Sequence, residues 1–263
     1  MSKGVSWWRA SARLARLAMY IFYLWLLLPL YWLRYGRQWF DTTQGRRLIS
    51  SWARGVSQIL ALRLHTDGTP GMSPNTLFVA NHISWLDIVV LSTVIQPRFI
   101  AKASLRHWPV FGWLARISGT LFIERGKIFT IHRVVDDIRH ALDKPVSVLL
   151  FAEGTTTDGR QVARFHAGLF RSVSTSRHFV QAVSLRYWRN GEPDTLAPYI
   201  GKDNFIMHLC RMASLREIRV ELVFTPPFQA VGMSRQAIAE ATRAAIVGVW
   251  QEGRISARQR CVA

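Results

Sequence analysis

The stretch Leu77-Phe78-Val79-Ala80-Asn81-His82-Ile83-Ser84-Trp85-Leu86-Asp87 joins four consecutive apolar residues to a polar turn and then to the start of a helical pattern. An apolar run this short, followed at once by turn residues, predicts a buried strand, and Trp85–Val94 predicts the helix after it. The same texture repeats downstream. Strands are predicted at Arg98–Ala101, Thr120–Ile123, Val146–Phe151, Val180–Arg186 and Arg219–Phe224, and helices at Val110–Ile117, Ile128–Leu142 and Arg235–Trp250. Alternating strands and helices predict an α/β fold, a mixed, mostly parallel sheet flanked by helices. Upstream, Thr66–Asn75 is a break rich in turn formers. The expected division is an N-terminal helical region, 1–62, and an α/β domain, 63–263.

The turn after the first of these strands holds two titratable residues. On one regular helix, His82 and Asp87 would stand about 140° apart, too far to pair. A strand–turn–helix path removes that difficulty. With Ser84 as N-cap, Asp87 falls at N3 of an S-x-x-[DE] capping box, and helical side chains lean back toward the N-terminus. The carboxylate then reaches the turn. There it would fix the imidazole tautomer and stabilise the imidazolium while His82 takes a proton from a hydroxyl. The plain alternative is a helix cap beside an ordinary turn histidine. Two more strand ends carry polar segments. Phe122-Ile123-Glu124-Arg125-Gly126 offers Arg125 for bidentate phosphate contact. Phe151-Ala152-Glu153-Gly154-Thr155-Thr156-Thr157-Asp158-Gly159 turns through two glycines. Ligands of α/β sheets bind beyond the carboxyl ends of the strands, so three such segments read as one site.

The chain has 263 residues, 49% of them hydrophobic, which supports a large core and excludes disorder. Lys and Arg number 34 against 16 Asp and Glu, a net charge of +18. That excess concerns partners rather than fold: nucleic acid, an anionic membrane or an anionic substrate. P-loop, Rossmann, zinc-protease and nucleophile-elbow motifs are absent, the histidines show no metal-ligand spacing, and no nucleic-acid module is recognisable. Two cysteines, Cys210 and Cys261, form no disulfide framework. Leu17–Leu33 carries no charge, lies between Arg16 and Arg34, and has Trp7, Trp8, Trp32 and Trp39 near its ends. As a helix it reaches roughly 26 Å, close to the bilayer core, and reads as a membrane anchor, either spanning or lying in one leaflet. No small-residue cleavage site follows it, so it is expected to be retained. The alternative is a buried core helix. Gln44–Leu62 predicts a second, basic amphipathic helix, facing either lipid or the domain.

Taken together, these segments resemble the glycerolipid (lysophospholipid) acyltransferase family, which includes 1-acylglycerol-3-phosphate acyltransferases. Asn81-His82-Ile83-Ser84-Trp85-Leu86-Asp87 is similar to its N-H-x-x-x-x-D block, Phe122-Ile123-Glu124-Arg125 to its F-[IV]-x-R block, Phe151-Ala152-Glu153-Gly154-Thr155-Thr156 to F-P-E-G-T-[RS], and Val180–Tyr187 to V-x-P-[VA]. The resemblance implies a membrane-bound O-acyltransferase. His82 would be the general base and Asp87 its orienting partner. Arg125 would hold the acceptor's anionic head, and Glu153, Gly154 and Thr155 would shape the acceptor site. The donor would be an acyl thioester of CoA or of an acyl carrier protein, with no metal or further cofactor. The setting would be a bacterial inner membrane, with the active domain on the cytoplasmic face of an anionic lipid surface.

Ala152 and Ala182 replace the usual prolines, and Thr156 stands where phosphatidate-forming members commonly have Arg. Arg160 or Arg164 would have to replace that lost phosphate ligand, or the acceptor is not lysophosphatidate. The leading expectation is 1-acyl-sn-glycerol-3-phosphate as acceptor, with lyso-ornithine lipid or another lysophospholipid as the alternative. Lys102 would add charge near the site. A non-catalytic basic membrane or lipid binder is the reading from a different class, and nucleic acid is not expected as a partner.

Overall fold

The computed structural model describes residues 6–36, 39–71, 73–107, 112, 115–116, 119–123, 128–174 and 176–260. The quoted apolar run lies within β2, Thr76–Ala80, buried along its whole length. Continuous apolarity fits a central strand covered on both faces. β2 runs parallel to its two neighbours, β5 (Val148–Phe151) and β6 (Phe179–Arg189). Past β5 lie β3 (Arg98–Lys102) and β4 (Leu121–Ile123), also parallel. Past β6 the direction reverses: β8 (Ile218–Phe224) is antiparallel to β6, and β1 (Leu62–Asp67) lies parallel to β8 at the edge. The order is β1-β8-β6-β2-β5-β3-β4, with the two-residue strands β7 (Glu192–Pro193) and β9 (Phe228–Gln229) on β6. The sheet is mixed and mostly parallel, as the alternation of elements predicts.

Alternate side chains of β2 enter different cores. Phe78 and Ala80 pack with α1 (Trp7–Tyr35), α2 (Thr43–Ile59), α3 (Leu86–Val94) and α5 (Phe205–Ser214). Leu77 and Val79 pack with α4 (Ile128–Leu142), α6 (Arg235–Arg260) and the 3-10 turn Ala167–Ser172, whose Phe170 is fully buried. Helices thus cover both faces, and the carboxyl ends of β2, β5 and β6 open at one pole.

Two elements depart from the sequence reading. β1 occupies residues that spacing assigns to the end of a helix and the start of a break. It is an edge strand with almost every side chain exposed, so it carries no buried alternation. Helix α5 fills a span left unassigned. Its N-cap is Asn204, whose Oδ1 accepts from the Ile206 and Met207 amides at 2.9 and 3.2 Å. The helix predicted at Val110–Ile117 lies mostly outside the described residues.

Helix α1 is 29 residues long, well beyond the charge-free run. Among the described residues it is the helix long and apolar enough to cross a membrane, by length and composition. It extends toward the N-terminus because its arginines have partners in the domain. Arg13 Nη1 donates to the Ala213 and Leu215 carbonyls and Nη2 to the Arg216 carbonyl at 3.1 Å. Arg9 Nη1 donates to the Ser214 carbonyl at 3.1 Å. A cation at the carbonyl end of α5 also suits the helix dipole. Ala10 and Leu17 are buried on the domain, while Met19, Phe22, Tyr23, Trp25, Leu26, Leu30 and Leu33 are exposed. Arg13→Met is expected to cost about 1–2 kcal/mol and to speed amide exchange in the last turn of α5, read by hydrogen–deuterium exchange.

Candidate active site

β2 ends at Ala80, yet its pairing with β6 goes one residue further through a side chain. The buried Asn81 amide donates from Nδ2 to the Leu185 carbonyl at 3.0 Å and accepts at Oδ1 from the Leu185 N–H at 2.8 Å. It stands in for one more backbone unit of the ladder and fixes where the His82 turn begins.

The Asp87 carboxylate has no exposed surface and four donors. Oδ2 accepts from His82 Nδ1 at 2.7 Å, the Ile83 amide at 2.7 Å and the Ser84 amide at 3.0 Å. Oδ1 accepts from the Tyr187 hydroxyl at 2.6 Å. The four donors satisfy the hydrogen-bonding capacity that burial would otherwise leave unmet. Facing a carboxylate, Nδ1 carries the imidazole proton. Nε2 is then the acceptor, and it makes no hydrogen bond among the described residues. The His82 ring stacks on Phe151, with centroids 3.9 Å apart and planes 15° from parallel.

One detail corrects the capping expectation. Ser84 is not the N-cap: α3 begins at Leu86, the cap residue is Trp85 with φ −60° and ψ −21°, and the Ser84 hydroxyl is buried without a partner among the described residues. Asp87 is therefore the second helical residue, not the third. Its carboxylate already takes the Ile83 and Ser84 amides, so the acidic half of a capping box forms and the serine half does not.

The second polar segment is stitched to the first. The Thr157 amide and hydroxyl both donate to the His82 carbonyl, at 2.8 and 3.1 Å. The Thr156 hydroxyl donates to the Tyr199 carbonyl, and the Tyr199 amide donates to the Ile83 carbonyl at 2.9 Å. Gly154 has φ +70°, a backbone conformation that favours glycine, and a Cβ there would press on the His166 ring at 3.0 Å. Glu153 is buried, and neither of its carboxyl oxygens has a hydrogen-bond partner among the described residues. Burial, with a smaller push from Asp87, raises its pKa to about 7; the nearby His82 backbone, Thr157 and Arg243 pull the other way. Arg243 meanwhile holds the loop itself, donating to the Ala163 and Val162 carbonyls at 2.9 and 2.6 Å.

The structure thus brings His82, Asp87, Glu153 and Gly154 to one pole. Thr155 stands exposed on the same loop, and Arg125 lies outside the described residues. Lys102, Arg160 and Arg164 are exposed to solvent. Among the described residues, no group of three or more His, Cys, Asp or Glu is placed to hold a metal ion. Asn81, Tyr187 and His208 complete the arrangement without having been singled out by spacing. His208 is fully buried; its Nδ1 accepts from the Trp85 indole at 3.0 Å, and its Nε2 donates toward the Ala197 and Pro198 carbonyls at 3.2 Å. Asn81 and Tyr187 lie inside quoted blocks, which is the one signal that pointed toward them.

Two measurements probe this geometry. Tyr187→Phe keeps the ring and removes one donor to Asp87, so it is expected to cost about 1–3 kcal/mol in denaturant unfolding and to slow turnover. Glu153→Gln tests the raised carboxyl. A folded pKa above the unfolded value favours the protonated fold, and that contribution is lost as pH rises through about 7. The Tm of Glu153→Gln minus that of the native chain should therefore grow between pH ~5 and pH ~8.

Residues 62–186 match the family model described as Acyltransferase. The chain is 34% identical over 202 residues to the lyso-ornithine lipid O-acyltransferase of Pseudomonas aeruginosa, covering 76% of this chain and 77% of that one. It is 31% identical over 179 residues to the 1-acyl-sn-glycerol-3-phosphate acyltransferase of Neisseria meningitidis, covering 68% and 70%. Its backbone resembles the crystal structure of the 1-acyl-sn-glycerophosphate (LPA) acyltransferase PlsC from Thermotoga maritima, with a TM-score of 0.69 over 92% of this chain and 94% of that one at 20% identity, a likeness of fold. With four sequence blocks in order and relatives matched over more than two thirds of their length, the chain belongs to the glycerolipid (lysophospholipid) acyltransferase family and is an acyltransferase of lysophospholipid type.

Proposed function

We propose that this protein transfers a fatty acyl group from a thioester to the free hydroxyl of a lysolipid, with His82 as general base and Asp87 as its orienting partner. The observation that carries the reading is the 2.7 Å contact between His82 Nδ1 and a fully buried, four-donor Asp87 carboxylate. His82 Nε2 takes the proton of the acceptor hydroxyl as its oxygen attacks the thioester carbonyl. The tetrahedral adduct collapses, the carbon–sulfur bond breaks, and the imidazolium returns its proton to the departing thiolate. Asp87 holds the ring and balances the imidazolium charge during that interval. Arg125 holds the acceptor's anionic head, and Glu153, Gly154 and Thr155 line the acceptor site. CoA and an acyl carrier protein are both suitable thiols.

The acceptor we favour is a lyso-ornithine lipid. Thr156 takes the place of a guanidinium, and its hydroxyl is committed to the Tyr199 carbonyl, so it offers no cation to a phosphate dianion. The relative from Pseudomonas aeruginosa, named for that acceptor, also shares the higher identity. Lysophosphatidate is the second reading, supported by the relative from Neisseria meningitidis and by the +18 charge. The protein acts at a membrane, held by the apolar outer face of α1. Because α1 is tied to α5 through Arg9 and Arg13, it lies along the domain and enters the lipid sideways rather than standing free as a span.

Transfer from a labelled acyl thioester to lyso-ornithine lipid, lysophosphatidate and lysophosphatidylethanolamine tests both parts. Lyso-ornithine lipid should be acylated fastest, and His82→Ala should lose about 10²–10⁴-fold in rate. Acylation of lysophosphatidate alone would reverse the acceptor assignment. An active His82→Ala would end the general-base reading.

A further inference from the structure

The segment that runs from β7 into the first turn and a half of α5 has two sides that do different things. Its inner side braces the catalytic turn. The Tyr199 amide holds the Ile83 carbonyl at 2.9 Å, the Tyr199 carbonyl holds Thr156, and His208 holds the Trp85 indole at 3.0 Å. Its outer side is apolar and unpartnered. Ile200 is 41% exposed, Ile206 62% and Met207 64%, with Lys202 exposed among them. The one acid there, Asp203, is neutralised by Arg211 at 2.6 Å. Adjacent large apolar side chains left in water mark a contact surface.

We propose that the tip Ile200–Met207 is a lipid-contact element at the catalytic pole, separate from α1, that seats the mouth of the site on the bilayer. The occupant is a bilayer for three reasons. The tip combines apolar side chains with a cation and no free acid, which suits the interface of an anionic membrane. A second exposed apolar group is tied to the same helix: the Ser6 amide, just before exposed Trp7 and Trp8 of α1, donates to the Ser214 carbonyl at the far end of α5, about 12 Å along the helix axis from Ile206. The acceptor is itself a lipid, so the tip stands where it must enter; this reason rests on the lysolipid reading above.

The test uses the full chain and the pair Ile206→Asp with Met207→Asp. Both positions are in the first turn of α5, where acidic residues suit the helix dipole, so the helix is kept. A neutral pair, Ile206→Ser with Met207→Ser, separates loss of apolar contact from charge repulsion. Rates are compared for a long-chain lysolipid in phosphatidylethanolamine–phosphatidylglycerol vesicles and for a short-chain lysolipid dissolved below its micelle concentration. Both pairs should lose about tenfold in kcat/KM on vesicles and stay within about twofold of the native chain on the dissolved acceptor. Cosedimentation with the same vesicles should weaken in parallel. Unchanged vesicle rates and unchanged cosedimentation would overturn the proposal, as would an equal loss on both acceptors. A change in oligomeric state with vesicle binding intact would also overturn it, by making the tip an interface between copies of the chain. If the native chain acylates neither lysolipid, the acceptor reading fails, and cosedimentation still decides the tip.

Discussion

The described residues at the carboxyl end of β2 are arranged around one buried carboxylate. A carboxylate with no solvent would cost several kcal/mol if left bare. Asp87 is tolerated because two backbone amides, an imidazole and a phenol converge on it. Three of the donors come from the turn after β2 and the fourth from β6, while the carboxylate itself stands in the first turn of α3, so all three parts must be in place. The phenol responds in turn, since burial, together with the Asp87 charge beside it, raises the Tyr187 pKa well above the usual phenol range and keeps it a donor. The same charge also helps burial to raise the Glu153 pKa.

How much of this was legible depends on what kind of force fixes each part. β2, β3, β6 and α4 are visible as runs and periods, because burial on one or both faces writes itself into hydrophobicity. The His82–Asp87 pairing is visible because a turn and a helix start constrain a five-residue separation. β1 is held by backbone pairing with β8 while its side chains face water, so nothing in its pattern marks it. Tyr187 and His208 reach the site from 100 and 123 residues away, and no local period records such a distance. Ser84 has the residue type of a cap, but α3 starts one residue later than the serine would set it, and the Ser84 amide donates to Asp87 while its hydroxyl has no partner among the described residues.

The basic surplus and the apolar N-terminus are parts of one solution. Arg9 and Arg13 satisfy the carbonyl end of α5, so the charges that interrupt α1 serve its docking, and the apolar residues further along are left facing outward. A helix with this division of labour packs on the domain along one side and leaves large apolar side chains exposed along the other.

Leu185 and Tyr187 are two residues apart on β6 and point to the same face. The first grips Asn81 through its backbone, and the second grips Asp87 through its hydroxyl. Sliding β6 by one residue against β2 would turn its side chains to the opposite face and break both grips at once. The hydrogen bonds of the pole therefore double as proofreading of strand alignment: a chain that closes its sheet out of register is also a chain that leaves a buried carboxylate short of a donor and loosens the turn that aims His82.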